Sequence, residues 1–195
     1  MTESLVESAP MIVTNVALVR VAWVVIGHLR TFRNRHRRVR WRLSIIELVT
    51  LPEPLLLAAM AVRIGSFASQ PSIAGVVALA AVAASVAGLA VSLWAFASFP
   101  QIGTGHYIDS GQRIVSRGIY RWIRHPIYIG VLLVWIGFAL GCRSLAAGTA
   151  IVLYVLPAYL LYIRAEEEMM SSYFGDEYAR YCERTGALLP RLRHA

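Results

Sequence analysis

The stretch G-I-Y-R-W-I-R-H-P-I-Y-I-G, from Gly118 to Gly130, sets two Arg, a His and three aromatics directly before a long apolar segment. Pro126 is where that segment can begin as a helix, because proline lacks an N–H that the first turn leaves unpaired and its fixed φ suits helix. His125, just before it, is biased toward extended backbone. Arg124 and His125 therefore stand at the mouth of a helix that enters apolar surroundings. A helix N-terminus carries partial positive charge and free N–H donors, so the arrangement suits an anion at a membrane surface. The plainer role for Arg121 and Arg124 is that of juxtamembrane anchors that set topology.

Outward from this stretch, the composition is that of a membrane protein. Of 195 residues, 57% are hydrophobic and 15% charged, with a mean hydropathy of +0.58. A soluble domain carries about a quarter charged residues. Apolar runs of about 20 residues, long enough to cross a bilayer, recur along the chain. The expected fold is all-α: an integral membrane helical bundle of about five transmembrane helices with a C-terminal cytoplasmic helical tail.

The runs are Met11 to Leu29, with Arg20 inside it; Leu43 to Ile64, with Glu47 and the triplet Pro52-Glu53-Pro54; Ile73 to Phe99; the short Ile127 to Cys142; and Leu145 to Ile163. Met1 to Pro10 reads as a polar, acidic start without the basic region of a cleaved signal peptide. Ala80, Ala84 and Gly88 recur every four residues, and Gly137 and Gly141 are in G-x-x-x-G spacing; both patterns predict close helix contact. Arg143-Ser144 reads as the turn of a helical hairpin. The net charge is +8 without a single Lys, and seven of the 19 Arg lie between Arg30 and Arg42. Between two apolar runs that cluster reads as a loop facing anionic lipid, not as a nucleic-acid surface. With basic loops at Arg30 to Arg42 and Pro100 to Arg124, the positive-inside rule puts the N-terminus outside and the C-terminus in the cytoplasm, in a bacterial inner membrane or its equivalent. Cys142 and Cys182 suggest neither a disulfide nor a metal site. The chain divides near residue 112: residues 1–112 carry three spans and the basic loops, and residues 113–195 carry the last hairpin, the tail and the chemistry.

The tail reads R-A-E-E-E-M-M-S-S-Y-F-G-D-E-Y-A-R-Y, from Arg164 to Tyr181. On a helix, Glu167 shares a face with Met170 and Phe174, while Arg164 and Glu168 form an i,i+4 pair. Phe174-Gly175 inside this charged stretch predicts a helix break with aromatics docking back. The order R-H-P-I-Y-I-G, hairpin, E-E-E-M-M, F-G-D-E-Y-A-R-Y and a terminal L-L-P resembles the isoprenylcysteine carboxyl methyltransferase and phospholipid methyltransferase family, over roughly Ile114 to Pro190.

The resemblance implies a cytoplasmic pocket for S-adenosyl-L-methionine built from the last two membrane helices and the tail, with no metal. It implies cofactor contacts from Tyr120, Arg124, His125, Pro126, Tyr128, Glu166, Glu167, Phe174, Glu177, Tyr178 and Tyr181, with Glu167 and Arg124 as the catalytic candidates. The cofactor's carboxylate suits Arg124 and the helix N-terminus. Its sulfonium and amine suit Glu side chains and Tyr faces. The acceptor is expected to be lipophilic or small, entering from the bilayer: a prenylated cysteine carboxylate, a phospholipid amine or a thiol. Two positions depart from the family pattern. Met170 replaces a Leu, and Ala187 stands where an Arg is usual before the last Pro, with Arg191 or Arg193 as substitutes. Two other readings compete. One is an NADPH-dependent membrane reductase related to sterol reductases, although Gly103-Thr104-Gly105 lacks the strand and third glycine of a nucleotide fingerprint. The other is a non-catalytic membrane scaffold.

Overall fold

The computed structural model describes residues 2–33, 38–40, 71–99, 107–109 and 111–191, with the side chains of 2, 23–33, 38–40, 71, 72, 107 and 109 excepted. The expected second run, Leu43 to Ile64 with Glu47 and Glu53, lies outside the described residues, as do Pro100, the Gly103–Gly105 segment and Arg193.

Four apolar helices make up the described bundle. Helix α1 spans Thr2–Arg33, α2 Pro71–Ser98, α3 Pro126–Gly141 and α4 Leu145–Phe174, and a short amphipathic α5 follows at Asp176–Arg184. α1, α2 and α4 are long and apolar enough to cross a bilayer, whereas α3, at 16 residues, is shorter. The molecule is an integral membrane helical bundle. One small departure from all-α is a two-stranded antiparallel pair, β1 (Arg38–Arg40) with β2 (Tyr107–Asp109), in register Arg38–Asp109, Val39–Ile108 and Arg40–Tyr107.

α1 begins at Thr2, well before the expected Met11. Glu3 in its first turn complements the helix dipole, and the helix runs through Pro10. The Thr14 hydroxyl donates to the Pro10 carbonyl at 2.6 Å. Arg20 is buried and faces protein, as an arginine inside an apolar run must.

α2 and α3 make the closest contact of the fold. The buried face of α2 is Ala78, Ala81, Ser85, Gly88, Ser92 and Ala95. The expected row was Ala80, Ala84 and Gly88; Ala80 is exposed and only Gly88 of the three is buried. Steps of four advance about 40° around a helix each time, so a strict four-residue row walks off the contact that alternating steps of three and four hold. A Cβ on Gly88 would lie 2.5 Å from the Gly130 carbonyl oxygen and 2.8 Å from the Val134 nitrogen. Gly137 packs in the same way on Ala81 and Ser85, and Gly141 on Val13 of α1. Small residues let backbones touch where lipid supplies no hydrophobic drive between helices.

The turn Cys142–Ser144 reverses the chain, with Arg143 at φ 50° and the Ser144 hydroxyl capping α4 by accepting from the Ala147 N–H at 3.1 Å. α4 widens into a π segment at Ile151–Val155, just before Pro157, which has no N–H to offer the carbonyl four residues back. It then continues past Ile163 to Phe174 without interruption. Gly175 ends it at φ 53° and ψ −127°, a conformation suited to glycine. That is the break the Phe174-Gly175 pair predicts.

Candidate functional site

The site is built where three pieces of chain meet: the segment Gly118–His125 leading into α3, the polar end of α4, and the tail. Gly118–Arg121 is a 3-10 turn, and its Ile119 and Tyr120 are buried against Ala95 of α2. Pro126 is the first residue of α3, as its chemistry requires, with His125 as the residue before it.

The tail reaches this segment by backbone pairing. After α5, Gly186 forms a parallel bridge with Ile123. Arg124 N–H donates to the Gly186 carbonyl at 2.9 Å, His125 N–H to the Ala187 carbonyl at 3.0 Å, and Gly186 N–H to the Trp122 carbonyl at 3.2 Å. A Cβ on Gly186 would collide with the Leu189 carbonyl, so this position has room only for glycine. α5 is positioned by its apolar face: Tyr178 and Tyr181 are buried, and the Tyr181 hydroxyl donates to the Tyr120 carbonyl at 2.7 Å. The buried Thr185 hydroxyl donates to the Tyr181 carbonyl at 2.6 Å.

On this frame sits a balanced knot of two cations and two carboxylates. Arg124 donates from Nε at 2.9 Å and from Nη2 at 2.6 Å to one oxygen of Glu167. Its Nη1 donates to the carbonyls of Thr185 and Cys182, at the C-terminal end of α5. His125 lies between the two acids: Nδ1 is 3.2 Å from Glu166 Oε2, and Nε2 is 3.2 Å from Glu167 Oε1. Only the imidazolium donates from both nitrogens. Burial by itself lowers the His125 pKa, but the hydrogen bonds and charges of Glu166 and Glu167 outweigh it and hold the ring above its ordinary value. Tyr128 donates its hydroxyl to Glu166 Oε1 at 2.9 Å and rests on Tyr159, ring centroids 5.2 Å apart. Glu166 and Glu167 thus diverge: one is held by Tyr128 and His125, the other by Arg124 and His125. Glu167 also lines an open depression of about 550 Å³ with Arg164, Glu168, Ser171 and Ser172.

Of the residues expected from sequence, Arg124, His125, Tyr128, Glu166 and Glu167 meet directly through these contacts. Tyr120, Pro126, Tyr178 and Tyr181 frame them. Phe174 sets its ring edge-on to Tyr173, centroids 4.8 Å apart, and Glu177 is exposed; neither joins the hydrogen bonds described here. Sequence reasoning missed Cys182, Thr185 and Gly186, which act through backbone carbonyls and through the absence of a side chain. Ala187 likewise serves through its carbonyl. Among the described residues no group of His, Cys, Asp and Glu could hold a metal ion.

A profile of the family described as phospholipid methyltransferase matches residues 57–177, more than half of the chain. The chain belongs to the phospholipid methyltransferase family. The match takes in α2, α3, α4 and the start of α5, and so includes Arg124, His125, Glu166 and Glu167. Individual relatives align over shorter stretches. The chain is 31% identical over 86 residues to the protein-S-isoprenylcysteine O-methyltransferase of Tribolium castaneum, covering 42% of this chain and 29% of that one. It is 37% identical over 79 residues to the cobalt-zinc-cadmium resistance protein CzcN of Cupriavidus metallidurans, covering 40% and 36%. It is 29% identical over 93 residues to a probable protein-S-isoprenylcysteine O-methyltransferase of Oryza sativa subsp. indica, covering 48% of each. The alignments therefore span from under a third to about half of these relatives' lengths.

Proposed function

We propose that this member of the family is a membrane methyltransferase that takes a methyl group from S-adenosylmethionine and places it on a lipophilic acceptor drawn from the bilayer. The observation that carries the proposal is the pair Glu166 and Glu167, fixed at the mouth of α3 by His125, Arg124 and Tyr128 within the matched segment.

The side chains fit such a cofactor. Two carboxylates and the Tyr128 ring suit positive sulfonium and amine groups. The Tyr120 hydroxyl is enclosed and has no hydrogen-bond partner among the described residues, so it has a bond to offer. Arg124 is engaged with Glu167 and the α5 carbonyls, which leaves the cofactor's carboxylate to the N–H groups at the start of α3. Bound, the cofactor supplies an electrophilic methyl on a sulfonium. The residues of this chain bind, align and exclude water, which is most of what an in-line displacement needs. Glu167, the carboxylate that Arg124 and His125 hold together, is the group proposed to contact the acceptor or the cofactor's positive end. Arg124 and His125 are positioning residues that hold it.

The orientation proposed is N-terminus outside and C-terminus in the cytoplasm. The β1–β2 pairing supports it, since it ties together the two basic loops that the positive-inside rule assigns to one side. A reporter fused after Ala195 is expected to be active only in the cytoplasm; activity on the other face overturns the orientation. The test of function is equilibrium binding to the detergent-purified chain. Binding of S-adenosylhomocysteine without binding of NADPH is expected. The reverse pattern would make the protein a reductase, and binding of neither would make it a scaffold.

A further inference from the structure

The exposed large apolar side chains of the described residues lie almost entirely on α1 to α4, where lipid covers them. Trp122, 51% exposed, and Leu189, 78% exposed, do not. They belong to the two non-helical segments that pair at the mouth of α3, and Gly186 brings them together. Its N–H donates to the Trp122 carbonyl, the Leu189 carbonyl fills the space where its Cβ would stand, and the Arg191 nitrogen is 3.3 Å from that same point. The Arg121 guanidinium stacks over the Trp122 ring, 4.9 Å from its centroid. Arg121 and Arg191 are both exposed. Arg191 donates from one nitrogen to the Glu183 carbonyl and keeps further donors. Arg113 and Arg117 precede the patch, and no Asp or Glu occurs anywhere from Gly111 to Ala165.

Trp122 lies four residues before a membrane helix begins, and with Leu189 paired beside it and a guanidinium on each side, it stands at the boundary between headgroups and acyl chains. We infer that Arg121, Trp122, Leu189 and Arg191 form one docking surface for anionic phospholipid. Trp122 and Leu189 enter the headgroup boundary, and the two arginines take the phosphate. The surface is shared between the segment before α3 and the tail, so neither makes it alone. Lipid bound there presses the tail strand against Trp122–His125, and so holds the α5 carbonyls that Arg124 uses. The inference is independent of methyl transfer.

The test uses the full chain in nanodiscs of phosphatidylcholine containing equal mole fractions of either brominated phosphatidylglycerol or brominated phosphatidylcholine. The difference between wild type and Trp122→Phe isolates the Trp122 emission. At least twofold stronger quenching of that emission by the brominated phosphatidylglycerol is expected, with the preference removed in Arg121→Gln/Arg191→Gln. A second reporter, Leu189→Trp in the Trp122→Phe background, is expected to show the same preference and does not depend on Trp122. Equal quenching by the two lipids at both reporters means ordinary interfacial burial and overturns the recognition of anionic lipid. Absence of quenching at both overturns the docking surface itself.

Discussion

The α2–α3 contact and the knot at the mouth of α3 lie within a turn or two of each other and are held by opposite physics. Along Ala81, Ser85, Gly88 and Ser92 the helices touch backbone to backbone, and shape alone decides the fit. Around Glu166 and Glu167 the chain brings together four charged side chains and orders them with hydrogen bonds. The first contact tolerates no added atom but is indifferent to pH. The second has room at its open side and is governed by protonation. The contrast divides a scaffold from a candidate site: the scaffold fixes where α3 begins, and the chemistry is proposed for what stands at that beginning.

The largest effect is expected where shape is violated. Gly88→Val puts atoms into the Gly130 carbonyl and the Val134 nitrogen, both backbone, so neither can rotate away. Overpacking costs about 1–3 kcal/mol and more where the backbone must move. Thermal unfolding in detergent is expected to shift markedly downward, with little dependence on pH; an unshifted midpoint would mean the two helices are not in contact at Gly88.

Next comes Arg124→Ala. It removes two hydrogen bonds from Glu167 and the Arg124 donor from the Thr185 and Cys182 carbonyls. The hydrogen bonds lost are those that hold Glu167, each in the range of roughly 1.5–3 kcal/mol for a bond to a charged group. The loss reaches the cofactor through the displaced Glu167 and is read as weaker S-adenosylhomocysteine binding by the folded variant, by no more than that amount. Unchanged affinity would return Arg124 to the role of a topological anchor.

A smaller, pH-dependent effect separates the two regions most cleanly. The His125 pKa is raised in the folded protein, so its contribution to stability is complete below the unfolded value of about 6.5 and is lost as pH rises through the folded value. The stability difference between wild type and His125→Gln is therefore expected to be largest at pH 6 and to shrink toward pH 9. Gly88→Val is expected to show no such trend. A difference for His125→Gln that stays constant across that range would mean the ring is not held as an imidazolium between the two acids.

The contrast also explains what the sequence could say in advance. Pro126 as a helix start, the break at Gly175 and the meeting of His125 with the acidic pair across a hairpin follow from local chemistry and chain order, and all three are legible. The row of small residues on α2 is legible in kind but not in phase, because Ala fills both its buried and its exposed faces and composition does not tell them apart. The start of α1 at Thr2 is hidden because the polar, acidic residues before Met11 lack the apolar run by which a membrane helix is read. The partners of Arg124 are hidden more deeply. A carbonyl has no residue type, so Cys182 and Thr185 leave no mark, and Ala187 looks like a lost arginine when its contribution is a backbone oxygen.

The central claim is that the charged knot, and Glu167 within it, serves methyl transfer. Glu167 and Glu168 are neighbours of one type on one helix. Glu167 is bonded to Arg124 and faces His125, while Glu168 is exposed. Replacing either with Gln barely changes size or helix propensity. Tritium transfer from labelled S-adenosylmethionine into membrane lipids or a thiol acceptor, at matched protein levels, is expected to fall tenfold or more in Glu167→Gln, since about 1.4 kcal/mol in the barrier is already tenfold. It is expected to stay near wild type in Glu168→Gln, where an exposed charge contributes under about 1 kcal/mol. Equal activities in the two variants would contradict the account and remove Glu167 from the site.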